Sequence, residues 1–212
     1  MKEDTAAGLA LITSVLGIAI TMLLHPTGHD VLRSAQQAEI AVLVHGLGLA
    51  TIPVALFGFL VYTKRLSHGT ALPTFSYILF AFGSVAILGA AVASGFVGPA
   101  VGDQLRTAAG AEREVLRVLF HTTGQVNRAF ARIHVLSASL AILLWSVSMW
   151  RSRLRACAAC GIIVGAASIA AVGSGHLILN VHGAGLVYLA HGVWTVWVAA
   201  LLIRGSFSHA PS

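Results

Sequence analysis

Six apolar runs, each close to the length needed to cross a bilayer, take up most of this 212-residue chain. A hydrocarbon core of about 30 Å requires roughly 20 apolar residues per helix. The runs cover about 5–24, 38–62, 72–97, 132–150, 156–176 and 185–203. In lipid every backbone N–H and C=O must find an internal partner, which restricts spanning segments to helices and closed barrels. Runs this long and continuously apolar select helices. Only 9% of the residues are charged, whereas soluble domains carry about 25%. So few charges cannot cover a water-facing surface. The sequence therefore predicts an all-α integral membrane protein, a single domain over 1–212 built as a bundle of six transmembrane helices.

Punctuation residues set the expected boundaries. Met1-Lys2-Glu3-Asp4 is acidic where a cleaved signal peptide would be basic, so the first run is expected to remain as a helix. His25-Pro26-Thr27-Gly28 stops it, and a polar connection from Asp30 to Gln37 follows. Pro53 lies inside the second run and predicts a kink, because proline cannot donate the helical bond there. Gly98-Pro99 is expected to close the third helix. From Ala100 to Arg132 the chain turns polar. There Glu114, Arg117, His121, Gln125, Arg128 and Arg132 recur at steps of three and four, while Leu116, Leu119, Phe120, Val126 and Phe130 occupy much of the other side. This pattern predicts an amphipathic interfacial helix feeding into the fourth span.

Charge placement gives an expected orientation. Lys64, Arg65, Arg151, Arg153 and Arg155 sit in the short loops after the second and fourth spans. The connection after the first span carries Arg33, and the one after the fifth has no Lys or Arg. The positive-inside rule then puts both termini in the cytoplasm of a multi-pass cell-membrane protein. The basic residues behind the net charge of +6 sit in short blocks between the apolar runs. A nucleic-acid footprint would form a stripe, so no nucleic-acid partner is expected. The expected partners are the lipid bilayer and other membrane proteins.

The polar residues that stand out are histidines. With six spans, His25, His29, His45, His121, His134, His176, His182 and His191 fall toward the end of the bundle opposite the termini, and only His68 and His209 toward the other. His45, His134 and His191 each lie a few residues inside a span at similar depth, which makes them the candidate cofactor ligands. Ionisable groups at membrane depth are costly and face the bundle interior. Three converging imidazoles would suit a zinc, copper or iron ion, and two opposed ones would suit haem b. Gly46 and Gly48 leave room for a flat macrocycle or for close helix packing. The competing reading is that each ring only hydrogen-bonds a neighbouring helix.

A second group of candidate metal ligands comes from the connections. His25, His29 and Asp30 form an H-x3-H-D run at a helix exit, and His176 and His182 flank Asn180 in a glycine-rich re-entry. Asp30 can ligate, orient a ring or serve as a cap, and the glycines fit an ordinary turn equally well. Arg128 and Arg132 could bind an anionic lipid or ligand, or form a solvated face. Cys157 and Cys160 lie one turn apart near Arg155, where thiolates would be favoured but the cytosol is reducing. The chain has no P-loop, G-x-S-x-G or H-E-x-x-H motif. Three functions stay open. One is a histidine-ligated metal or haem protein for electron transfer or metal-dependent chemistry. Another is a metal-dependent membrane hydrolase with Asp30 as base. The third is a non-catalytic subunit or lipid- or pigment-binding scaffold.

Overall fold

The computed structural model describes residues 2–67, 70–150 and 154–207, all helix and connection. His68, His209, Arg151 and Arg153, which enter the topology argument, lie outside the described residues. Eight α-helices follow one another: α1 (Glu3–Leu24), α2 (Gly28–Arg33), α3 (Ala35–Leu66), α4 (Leu72–Val92), α5 (Gly98–Thr107), α6 (Gly110–Met149), α7 (Arg155–Gly173) and α8 (Val181–Ile203). A five-residue π-helix, Ala93–Val97, joins α4 to α5. Among the described residues six helices are long and apolar enough to cross a membrane, with α4, the π turn and α5 counting as one. These six segments make this a multi-pass membrane protein by length and composition.

The spans close a ring in chain order. α1 packs on α3, α3 on α4, α4 on α6, α6 on α7, α7 on α8, and α8 returns to α1. Glycines let the backbones approach. A Cβ on Gly8 would lie 2.7 Å from the Ala199 carbonyl, and one on Gly165 would lie 2.6 Å from that of Ser139. In lipid, where apolar burial offers no net drive, this close packing is a main source of helix association. The middle of the ring at the terminal end is filled by Phe59, Tyr62, Phe80, Trp145 and Trp194; Phe59 stacks on Trp145 with centroids 4.9 Å apart. Each such aromatic pair adds about 0.5–1.5 kcal/mol beyond area burial. At that end Arg65 also bonds Asp4 at 2.7 Å, tying α3 to α1.

Several boundaries differ from expectation. α3 runs beyond the expected 38–62 at both ends, with Pro53 inside it as expected. The third span does not stop at Gly98-Pro99. Pro99 has no N–H and its ring crowds the carbonyl four residues back, so an ordinary α-turn cannot continue. The chain widens instead to a π turn, in which the Gly98 N–H reaches the Ala93 carbonyl, and the helix resumes to Thr107. Residues 110–149 form one helix of 40 residues, about 60 Å long and twice the hydrocarbon thickness. Near its start Leu116 packs against Val101 and Leu105 of α5, and Phe120 against α2 and α3, while Val115 and Val118 are exposed. The Asp30 connection carries the short helix α2.

Candidate functional site

The same ring stays open at the end away from the termini. A cavity of about 730 Å³ lies there, walled by α1, α3, α4, α6 and α8. Small-molecule and cofactor sites usually measure about 300–1,000 Å³. Ile18, Met22, Leu49, Ile52, Phe80 and Ile87 supply apolar wall; His25, His45, His121, His134 and His182 also line the cavity.

Local structure fixes the first two rings. Pro26 holds His25 in extended backbone (φ −68°, ψ 115°), ending α1. The His25 Nδ1 lies 2.8 Å from the Pro26 carbonyl. His45, buried on α3, places its Nδ1 2.6 Å from the Ala41 carbonyl one turn earlier. A carbonyl only accepts, so both Nδ1 atoms carry the proton and both Nε2 atoms present a lone pair. Those two Nε2 atoms are 3.1 Å apart, with ring centroids at 4.6 Å and planes at 65°. The π turn completes the cluster. Gly95 has no side chain and accepts the His45 ring against its backbone, while Ser94 sets its Oγ 2.7 Å from His45 Nε2. Burial is the main influence on His25 and holds it below the ordinary histidine range, although its carbonyl bond opposes this.

His134 is built on the same plan. Its Nδ1 donates to the Gly83 carbonyl at 2.9 Å across the α4–α6 contact, and its ring lies 5.8 Å from that of Tyr188. The absence of a Cβ at Gly83 permits this approach, since one there would meet the His134 carbonyl at 3.3 Å. Its Nε2 keeps a free lone pair. His191 is placed differently. Its Nε2 shares a 3.0 Å bond with Ser139 Oγ between α8 and α6, and it does not line the cavity. Of the three rings expected to share a site, His45 and His134 line the cavity and His191 does not. Among the described residues no three His, Cys, Asp or Glu side chains are arranged around a common metal point. Equal depth did not mean equal facing: α3 turns its ring toward α1 and the π turn, and α8 spends its ring on an interhelical bond.

The connection residues also separate. Asp30 takes bonds from the Thr27 N–H (3.0 Å) and hydroxyl (2.6 Å), completing a capping box at the start of α2. These bonds, the side-chain one foremost, hold its carboxyl below the usual carboxylate range. His29 is exposed on α2, and His176 is exposed with its Nδ1 2.7 Å from Ser174 Oγ. His182 stays with the site, at the cavity wall. Arg117 and Arg128 line the same cavity, while Arg128 and Arg132 line a smaller one of about 320 Å³ beside it. Cys157 and Cys160 are free thiols at the start of α7, away from the cavity. The sequence reading missed Ser94. Its only available signal was Gly98-Pro99 after a small-residue run, which foretells a disturbed helix but not which side chain the disturbance presents. Comparison of the chain with protein families, curated proteins and solved structures finds no match.

Proposed function

We propose that this multi-pass membrane protein holds a histidine-ligated transition-metal cofactor in the cavity, for electron transfer or metal-dependent chemistry at the outer membrane face. One observation carries the reading. Three cavity histidines, His25, His45 and His134, have Nδ1 pinned to a backbone carbonyl, which leaves Nε2 as the available donor. Metal-ligating histidines are held this way, because the second bond fixes tautomer and ring orientation. A packed ring would also bond its N–H to a carbonyl; what favours a cofactor is that three rings so anchored line one large cavity. Metal-assisted hydrolysis is less well supported, because the carboxylate nominated as base, Asp30, is committed to its cap.

A specific observation also favours haem b as the form of the cofactor. The cavity is large and mostly apolar, Gly124 on its wall has open space where a Cβ would stand, and Arg117 and Arg128 offer cationic partners for two carboxylates. His134 would supply a nitrogen to hold the iron. The orientation that fits is the one read from the basic loops, with both termini cytoplasmic and the first half of α6 carried beyond the outer surface. Its arginines would meet lipid phosphate or the cofactor's acidic groups. Purified protein should show either a Soret band or about one equivalent of a first-row metal. Finding neither in protein isolated from native membranes would leave a scaffold as the function.

A further inference from the structure

We infer that His25, His45 and Ser94 form a mononuclear metal-ion centre for a divalent first-row ion of the copper or zinc class, open toward the cavity. This rests on the reading of the cavity as a cofactor site and specifies which wall holds the ion. The first argument is a count of protons. Two neutral rings and one hydroxyl supply three protons. The two Nδ1–carbonyl bonds use two of them, and the Ser94 hydroxyl directs the third to the Ala90 carbonyl at 2.9 Å or to His45 Nε2 at 2.7 Å. The Nε2 atoms of His25 and His45 then lie 3.1 Å apart, with neither ring's own N–H between them. The Ser94 proton can serve His45 alone, so His25 Nε2 keeps an unused lone pair beside His45 Nε2, and a cation reached by both nitrogens would use both.

The second argument is geometric and separates a shared proton from a metal ion. A direct N–H···N bond prefers both rings end-on to the N–N line, which would put the centroids roughly 5.4 Å apart. A metal about 2.0–2.1 Å from each nitrogen would subtend about 100° at the observed 3.1 Å and bring the centroids to about 4.8 Å. The observed separation is 4.6 Å. The rings are therefore bent off the N–N line, an edge-on geometry that also leaves room for two cis ligands. An angle near 100° lies between square and tetrahedral coordination, and imidazole suits copper and zinc. Ser94 Oγ provides an adjacent oxygen, able to ligate or to bond a metal-bound water. The remaining positions face the cavity, so exogenous ligands can reach the ion. No cavity carboxylate competes; the other titratable or charged groups lining the cavity are Arg117, His121, Arg128, His134, His182 and Tyr188.

The test uses full-length protein in lipid nanodiscs, stripped with a chelator and titrated with Cu²⁺ and separately with Zn²⁺. One equivalent should bind, and the copper form should show electron-spin coupling to two imidazole nitrogens. His25→Gln should weaken binding by at least about 100-fold, and His45→Gln similarly, whereas His176→Gln, exposed and away from the cavity wall, should change it by less than about threefold. His25 lies beyond the end of α1, so its variant leaves the spans intact and remains informative even where His45→Gln misfolds. Unchanged copper affinity and two-nitrogen coupling in His25→Gln would overturn the assignment. Binding lost in His134→Gln but kept in His25→Gln would overturn this centre alone and leave the cavity reading standing. Absence of both metal and haem from the unaltered protein would overturn both.

Discussion

Gly95 and His45 show how closely the site depends on single atoms. A Cβ on Gly95 would fall into the His45 ring, so Gly95→Ala must displace that imidazole. Overpacking of this kind costs about 1–3 kcal/mol. The expected result is a lower thermal midpoint together with loss of cavity-bound metal, measured on the same detergent-purified sample. Retained metal at unchanged affinity would show that the ring does not need this seat. Asp30 belongs to the same scale. Its lowered carboxyl means that the capping contribution is complete above the ordinary carboxylate range and lost as pH falls through the lowered value. Carbon-13 titration should give an Asp30 midpoint below that of a free aspartate, and Thr27→Val should move it upward. Of these details, the cap was one of four roles the sequence offered for Asp30. The ring-to-glycine contact was invisible, because it joins residues 50 apart in the chain through a π turn that no local pattern announces.

Elements were more legible than their ends. Hydrophobic runs and polar punctuation located the six spans, since lipid solvation imposes a length that composition alone can satisfy. The failures cluster at proline and in the polar segments. Gly98-Pro99 read as a stop, but a π turn absorbs the missing N–H and the helix goes on. That turn makes a testable claim. Pro99→Ala restores a donor four residues beyond Gly95 and should let Ala93–Val97 relax toward α-geometry, turning Ser94 from His45. Helicity should hold while metal affinity drops by about tenfold, as for loss of a supporting contact. An unchanged affinity would mean that Ser94 takes no part. α6 gave its periodicity plainly, yet the cavity sits on the side expected to be solvated: Arg117, His121 and Arg128 line it. Helical phase shows which residues share a face, but only the neighbouring helices decide what that face meets.

The whole molecule is a ring of six spans, packed with aromatics at the terminal end and hollow at the other. Chain order around the ring was not readable from the sequence, because small-residue stripes recur on several helices and do not specify partners. The clustering of histidines at one end was readable, since it needs only the span count. Orientation is testable by labelling a background lacking Cys157 and Cys160. A cysteine at Ser34 should react with an impermeant reagent from outside, and one at Ser67 only after the cytoplasmic face is opened. Reaction of both from the same side would contradict the six-span topology. The central claim is that the hollow end holds a metal bound by imidazole. X-ray absorption at the metal edge, on protein purified from native membranes, tests it most directly. The account predicts a first shell of nitrogen with imidazole scattering, near 2.0–2.1 Å for a bare ion. A shell of sulfur near 2.3 Å would move any metal to Cys157 and Cys160, and a sample without bound metal would contradict the account outright.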